Sequence, residues 1–395
     1  MKKRGDRVLI AGGGIGGLAA AIAIGRRGIE SEVLERTGFG EETGAGIQLG
    51  PNATRALRAL GALDAVETHA FRPEAIFVYD GMSGRKLTSI PLGQSAEQRY
   101  GAPYLTLHRA DLHGDLRAVA QSVDAVTLTP EFEVAAVDWQ GDDVVARTAD
   151  GRRAEGVSLI GADGLWSTIR SLIMPEARLR FTLHAAWRAL LPRNNLPSPF
   201  DAPVVGLWLG PRSHLVHYPV RRGEALNLVA VTKGGAERAG WDQPGSTETL
   251  RGSLTHWSNE SKSLLESVES WRSWSLYRLT HLARWSAGRV VLLGDAAHPV
   301  LPYLAQGAAL AIEDAVTLAA CLAACSADPA SAFPRYEEIR RSRTARVERL
   351  SRRFGRLYHL RGPLRLARNF VLARRNPERA LRRLDWLYRP QDEAD

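Results

Sequence analysis

The sequence predicts an α/β fold: a domain of parallel strands and helices, an antiparallel β-sheet domain inserted into it, and a C-terminal helical region. Three observations predict it. Residues 8–35 run strand, glycine turn, helix, strand. From about residue 181 the chain changes to short alternating strands with tight turns. At 285–325 strand-and-helix character resumes, and the chain is then helical to near 389. A side-chain period of 2 marks the strands and a period near 3.6 the helices. These readings divide the chain into 1–75, 100–180 and 285–330 for the first domain, 76–99 and 181–284 for the sheet, and 331–390 for the helices.

In chain order, "RVLIAGGGIGGLAAAIAIGRRG" reads as strand, turn and helix, and "SEVLER" as a second strand. The turn carries Gly12, Gly14 and Gly17 in the spacing G-x-G-x-x-G, with Ile15 and Gly16 between them. The first glycine permits a tight turn, the second lets a pyrophosphate approach the backbone, and the third lets helix pack on strand. The helix start then offers N–H groups and the positive end of its dipole to phosphate. Glu35, followed by Arg36, ends the second strand 18 residues after Gly17, where an acid accepts the hydroxyls of a ribose. The five features in order point to a dinucleotide site without choosing the dinucleotide.

Residues 76–92 read as a hairpin turning at Asp80 and Gly81 or at Ser83 and Gly84, and "LHRADLHGDLRAVA" as a helix from about Arg109. In "LIGADGLWSTIR" (159–170) a strand ends in the turn Asp163-Gly164, and a helix follows with Ser167 as N-cap. An aspartate at the carboxyl end of a strand in an open α/β sheet sits where ligands bind, although a plain Asp-Gly turn reads the same way. The segments "VVGLWLG", "HLVHYPV" and "ALNLVAVT" form a meander. A third polar interruption, Asp295 in "LLGDAAHPVLPYLAQGAALAIEDA", closes a core strand that gains nothing from an acid.

At 45% hydrophobic and 24% charged, the 395 residues are ordinary for a globular protein. The start is basic like an export signal, but the apolar stretch Val8–Ala11 is too short for one. No uninterrupted apolar run reaches the length of a membrane span. Cys321 and Cys325, one helical turn apart, read as packed thiols, which fits a reducing cytoplasm. The net charge of +9 is concentrated: residues 335–390 hold 18 Arg and five acids. Nucleic-acid or membrane binding there is weighed against solvated helix faces or a subunit contact. The latter is favoured because apolar residues interleave at helical spacing. No metal-ligand spacing is read.

Together "GGGIGG" with Glu35, "GADGLWSTIR" and "GRVVLLGDAAHPVLPYLAQGAALAIEDA" resemble, in order and spacing, the single-component flavin-dependent aromatic hydroxylases, the family of salicylate and hydroxybenzoate hydroxylases. The likeness covers about residues 7–390, including the closing "LDWLYRP". It implies a Rossmann-like FAD-binding domain, FAD as cofactor and NADH or NADPH as co-substrate. It implies that Asp295 holds the ribityl chain, that Asp163 and Gly164 lie near the pyrophosphate, and that Arg109 contacts the FAD. It also implies that the helix opening at Gly307 and Ala308 points its N–H groups at the flavin's pyrimidine edge, where reduced flavin is anionic. Pro299 and Pro302 stiffen the loop before that helix, and Gln48 and Asn52 flank the flavin. Ala309 departs from the polar amide of many relatives, which removes a side-chain contact there. Glu313 and Asp314 belong to the helix exterior or to a nearby Arg pair.

The implied reaction is hydroxylation of a phenolic aromatic carboxylate of the salicylate, hydroxybenzoate or hydroxynicotinate type by dioxygen through a flavin hydroperoxide. Phenol deprotonation needs a base or acceptor. On "HLVHYPV" strand alternation puts His214 and Tyr218 on one face and His217 on the other. His214, Tyr218 and Gln306 are the catalytic candidates, and His217 is the weaker one. His298 reads as structural. Arg188 pairs with a substrate carboxylate or with an acid of the sheet. Trp187 and Trp208 line an aromatic pocket or the core. The alternatives are a same-fold epoxidase or hydroxylase of a polyketide, terpenoid or purine, and a NAD-dependent dehydrogenase that uses only the first motif. Halogenases carry a Trp-x-Trp-x-Ile-Pro signature that "SWRSWSLYRL" does not supply. The expected partners are a small aromatic substrate and dioxygen, with no nucleic acid and no membrane. The oligomeric state, a homodimer included, is open.

Overall fold

A strand feeds a helix through two or three residues only where the backbone bends sharply, and Gly12 supplies that bend at φ +103°, a region open to glycine and closed to most side chains. The computed structural model describes residues 7–390 apart from 41–44, 141–142, 195, 235–236, 238–239, 241–242, 281 and 326–327. The basic start at Met1–Arg4 lies outside the described residues. Strand β1 (Val8–Ala11) enters the bend, α1 (Ile15–Gly25) leaves it, and β2 (Ser31–Leu34) returns parallel to β1. Next come β3 (Gly46–Leu49), α2 (Pro51–Ala59), α3 (Leu63–Glu67), the hairpin β4 (Ala75–Asp80) and β5 (Lys86–Pro91), and α4 (Gly93–Tyr100). Strand β6 (Leu105–His108) leads into α5 (Arg109–Gln121) and β7 (Val126–Thr129). A small sheet of β8 (Ala136–Gln140), β9 (Asp143–Arg147) and β10 (Arg153–Gly156) precedes β11 (Ser158–Gly161) and α6 (Thr168–Ile173).

The chain then crosses into its long meander: β12 (Leu179–Pro192), β13 (Val205–Gly210), β14 (Ser213–Val220) and β15 (Ala225–Lys233). Strand β16 (Gln243–Gly245), helices α7 (Thr247–Ser253) and α8 (Asn259–Glu266) and β17 (Trp271–Leu279) complete it. Strands β18 (Ser286–Ala287) and β19 (Val290–Leu292) return to the first sheet, followed by α9 (Gly307–Ala324), α10 (Ala332–Tyr358), α11 (Gly362–Ala373), α12 (Pro377–Arg382) and α13 (Asp385–Tyr388).

The first sheet has the order β18-β19-β11-β1-β2-β7, parallel except for the β18–β19 pair. A parallel sheet is covered on both faces, so its strands read as continuous apolar runs: all four residues of β1 and all three of β19 are buried. The second sheet has the order β16-β17-β12-β15-β14-β13-β4-β5. It is not antiparallel throughout, because β13 and β4 run parallel. The β4–β5 hairpin is donated from earlier in the chain, so no tight turn dictates its direction against β13.

Most arginines of the basic tail lie on solvated helix faces, as expected, but a few turn inward. The buried face of α10 recurs at Tyr336, Arg340, Arg343, Val347 and Ser351, a helical stripe that carries two arginines inward. Asp80 receives Arg365 of α11 at 2.7 Å. Helix α9 is, among the described residues, long and apolar enough to cross a membrane. It nevertheless carries Glu313 and a fully buried Asp314, and it packs on α1 and α10.

Candidate active site

The carboxyl ends of β1, β11 and β19 converge. A Cβ at Gly12 would meet the carbonyl oxygen of Ala162 at 2.6 Å, so the glycine turn lies directly on the Ala162–Asp163 turn. A Cβ at Gly17 would sit 1.9 Å from the Gly12 carbonyl oxygen, the close helix-on-strand packing its spacing predicts. Gly14, by contrast, faces open space. Ile15 is buried at the start of α1, and Gly16 packs toward Leu293. The first turn of α1 has no acid and no side-chain cap, so its positive end is available to an anion. Glu35 accepts the Gly13 N–H at 2.6 Å and the Thr37 N–H at 3.0 Å, which holds its carboxylate against the turn. Arg36 is exposed. His113, which the sequence reading passed over, braces the turn from behind through Gly13 O at 2.7 Å. It lies four residues after Arg109, on the same helix face, and that spacing was its only signal.

Asp163 accepts Ser167 Oγ at 2.5 Å and the Ile169 N–H at 3.0 Å, while Ser167 caps α6 by accepting the Arg170 N–H. Both Asp163 oxygens thus serve the start of the helix, and the plain-turn reading describes its side chain. Asp295 is different. No protein group among the described residues donates to it, and burial pushes its carboxyl up, against the pull of His298, Arg109 and Arg170. An acceptor in that state has capacity for hydroxyl donors. Gly307 faces it, a Cβ there lying 4.0 Å from Asp295 Oδ1. Gly307 and Ala308 open α9, whose first turn has neither an acid nor a side-chain cap. Pro302 begins the short turn before it. The open glycine turn, the Glu35 acceptor, the unpartnered Asp295 and the uncapped α9 fit the phosphates, ribose, ribityl chain and pyrimidine edge of FAD.

A buried polar chain lies under α9. Asn52 Nδ2 donates to Gln306 Oε1 at 3.0 Å and to Glu313 Oε1 at 2.7 Å. Glu313 receives Arg340 at 2.7 Å and both ends of Arg343 at 2.6 Å. Asp314 receives Arg340 Nε at 2.6 Å, contacts His298 at 2.6 Å and accepts the Gly294 N–H at 3.1 Å. Burial raises both carboxyls, but the guanidiniums, and His298 for Asp314, outweigh it and bring each down to about 2. Of the two readings of Glu313-Asp314, the helix exterior is wrong and the Arg pair is what the fold builds. His298 is tied into this network, in keeping with its structural reading.

On the sheet side, His214 and Tyr218 share one face of β14. Tyr218 is buried against β3, where a Cβ at Gly46 would meet its ring at 2.6 Å. Gln48 accepts Tyr104 Oη at 2.8 Å and also interacts with Tyr218. His214 Nδ1 lies 2.9 Å from His359 Nε2, and its ring is 5.4 Å from both Tyr303 and Tyr358. Burial, then the neighbouring His359 and His184, keep His214 well below the ordinary imidazole value, so it is neutral. Burial pushes the phenols of Tyr218, Tyr303 and Tyr358 well up. This face therefore carries uncharged donors and acceptors, a surface on which a phenolate would be the one anion. Tyr303, Tyr358 and His359 were not singled out in the sequence. Tyr303 stood between Pro302 and Gln306, but nothing local ties the end of α10 to β14. Arg188 lies over the Trp274 ring at 5.4 Å.

His217 points the other way, beside Phe200 at 5.0 Å and Trp208 at 6.3 Å between ring centroids, with both ring nitrogens unpaired. Trp187 and Trp208 belong to that same outer cluster, so their core reading is the observed one. Burial, then Arg193, lower His217 to about 3. Between its ordinary value and that one, the unfolded chain binds a proton that the folded chain refuses, so stability is lost as pH falls through this window. The slope is about 1.4 kcal/mol per pH unit. His217→Leu is expected to remove it, so that urea midpoints of wild type and variant, matched at neutral pH, diverge in the variant's favour near pH 4.5.

The family described as FAD binding domain matches residues 6–351. The chain is 38% identical over 382 residues to the 3-hydroxybenzoate 6-hydroxylase of Polaromonas naphthalenivorans, covering 96% of this chain and 95% of that one. It is 34% identical to the 6-hydroxynicotinate 3-monooxygenase of Bordetella bronchiseptica, over 87% and 90% of the two chains. The Klebsiella pneumoniae protein HpxO, solved with FAD and uric acid, superposes with a TM-score of 0.85 at 26% identity, each chain 98% covered. A strand–glycine–helix turn, an unpartnered acid at a strand end and an uncapped helix opposite it, in a chain so covered by these relatives, identify a member of the FAD binding domain family and, within it, of the FAD-dependent aromatic hydroxylases.

Proposed function

We propose that the protein hydroxylates a phenolic aromatic carboxylate, of the hydroxybenzoate type before the salicylate or hydroxynicotinate types, consuming NAD(P)H and dioxygen. The observation that carries this reading is the full-length likeness to a 3-hydroxybenzoate 6-hydroxylase together with the uncharged face of His214 and Tyr218. FAD, when bound, supplies the redox chemistry, taking electrons from the reduced nicotinamide and activating dioxygen. The chain's own residues do the rest. Glu35, Asp295 and the starts of α1 and α9 hold the cofactor; Gly12, Gly14, Ile15, Gly16, Gly17, Arg36, Gln48, Arg109, Asp163, Pro302, Gly307 and Ala308 surround it. His214, held in one orientation by His359, accepts or shares the phenol proton. The Tyr218 hydroxyl donates to the phenolate oxygen, and Gln306, fixed by Asn52, orients the ring. The apolar walls exclude water. Cytoplasmic localisation and a homodimer complete the proposal; the latter is tested by sedimentation velocity. The dehydrogenase alternative is not retained, because the match is to an FAD-binding family. A purine remains the second reading, since HpxO was solved with uric acid.

The test follows NADH and NADPH oxidation in air with a panel of hydroxybenzoates, salicylate, 6-hydroxynicotinate and uric acid, measuring hydroxylated product and hydrogen peroxide. One acid that both accelerates oxidation and appears hydroxylated is the expected result. Peroxide alone with every compound would sink the substrate class. With that acid, His214→Ala is expected to lower kcat/KM by about 100-fold or more with FAD retained. Tyr218→Phe is expected to lower it by about tenfold, the loss of one hydrogen bond. Unchanged constants would remove both residues from the reaction.

A further inference from the structure

Which end of a side-chain amide carries the oxygen is decided by its hydrogen-bond partners, and the polar chain under α9 leaves one answer. Glu313 starts it. One of its oxygens receives Arg340 and Arg343, and the other receives Arg343 and Asn52. Burial alone would raise this carboxyl, but the two guanidiniums bring it down to about 2, so it is ionised and only accepts. The Asn52 atom 2.7 Å from it is therefore the amide nitrogen. That nitrogen has a second proton, which it gives to Gln306 at 3.0 Å. The receiving atom of Gln306 is in turn its oxygen. Turning Asn52 over would set its oxygen against the carboxylate, and turning Gln306 over would set nitrogen against nitrogen. Both residues are only 2% exposed, so water does not repair such a clash. The fold even leaves Asn52 Oδ1 without a partner to keep this orientation. Gln306 and Glu313 lie seven residues apart, about two turns, on one side of α9, and Asn52 at the start of α2 spans the gap between them.

With its oxygen taken, Gln306 has only its Nε2 protons left to offer, and no described residue accepts from them. We propose that Glu313 and Asn52 are positioning residues that fix Gln306 as a hydrogen-bond donor toward the substrate, and that the site thereby selects a ring oxygen over a ring amino group. The inference rests on the reading above that Gln306 touches the substrate. A phenol or phenolate oxygen accepts from the amide while its proton goes to His214. An aromatic amine has no comparable acceptor, because its lone pair is drawn into the ring. Its N–H groups would face those of Gln306, and a site built around one hydrogen-bonding group rejects an analogue that leaves that group unpaired.

The experiment titrates the FAD-loaded enzyme with 3-hydroxybenzoate and with 3-aminobenzoate, following the flavin absorbance. The two acids differ only in the group that Gln306 reads. Wild type is expected to bind the hydroxy acid about tenfold or more tightly. Asn52→Leu keeps a similar bulk but neither donates nor accepts, so Gln306 is free to turn and present its oxygen to an amine. The ratio of the two dissociation constants should then fall to within about twofold. A purely structural loss weakens both ligands alike and leaves the ratio where it was. If Asn52→Leu does not retain FAD, Glu313→Gln/Arg343→Met carries the test. An amide at that position donates as well as accepts, so Asn52 is no longer held one way round, and the ratio should fall likewise although neither changed residue touches the ligand. An unchanged ratio in an FAD-retaining variant overturns the positioning role. Equal binding of the two acids by wild type overturns the donor assignment of Gln306 and leaves the aromatic-acid reading standing. Binding of neither acid by wild type overturns both together, and the wild-type titration shows this before any variant is made.

Discussion

Asp295→Ala is expected to yield a protein that purifies without its yellow colour yet melts higher as the apoprotein than the wild-type apoprotein. Both halves follow from one observation. Asp295 accepts no hydrogen bond from the described residues, and burial pushes its carboxyl up. A group raised in the folded state stabilises the fold only while protonated, and that contribution is lost as pH rises through its folded value. At neutral pH the bare carboxylate is therefore a liability, and alanine removes it. Hydroxyl donors of bound FAD are expected to reverse the balance. Losing this acceptor of hydroxyl hydrogen bonds is expected to weaken FAD binding by about 100-fold or more. Flavin fluorescence titration and apoprotein melting curves measure the two effects. Retained affinity, or a lower apoprotein melting temperature, would contradict this assignment.

The second large effect lies at Glu313. Three charge-assisted contacts from Arg340 and Arg343 converge on it in the interior. Glu313→Gln leaves two buried guanidiniums with Asp314 as their remaining anion, and breaking a buried pair from one side costs about 3–5 kcal/mol. The urea midpoint should fall accordingly. Adding Arg343→Met should recover part of the loss, because it removes the stranded charge along with its partner. A Glu313→Gln protein as stable as wild type would show that the network is not holding α10 on α9. Because Asn52 links Glu313 to Gln306, the single variant should also loosen the residue that opens α9.

The strand–glycine–helix–strand unit was legible in the residues because its parts lie close along the chain. Gly12 to Glu35 span one βαβ unit whose geometry follows from turn, helix and strand chemistry, and Asp295 announced itself as an acid at the end of an apolar strand. Strand alternation likewise placed His214 with Tyr218 and turned His217 away. The direction of β4 against β13 was not legible, since no hairpin joins them. Nor was the choice between the two readings of Glu313 and Asp314, nor the inward turn of Arg340 and Arg343 within the tail. Alternation and helical spacing say which face a residue takes, but not what stands opposite it.

Local hydrogen bonding and side-chain periodicity, which act over a few residues, were enough for the dinucleotide turn, the two sheets and the polar face of β14. The partners of that face came from far along the chain. His359 reaches His214 across 145 residues, and Asn52 reaches Gln306 across 254. The same holds for Arg180 and Arg278, unremarkable in sequence, which become a charged pair only through the register of β12 and β17. Such meetings depend on how whole sheets and helices pack. That packing is set by the summed burial of many apolar side chains, and no short stretch of sequence encodes it.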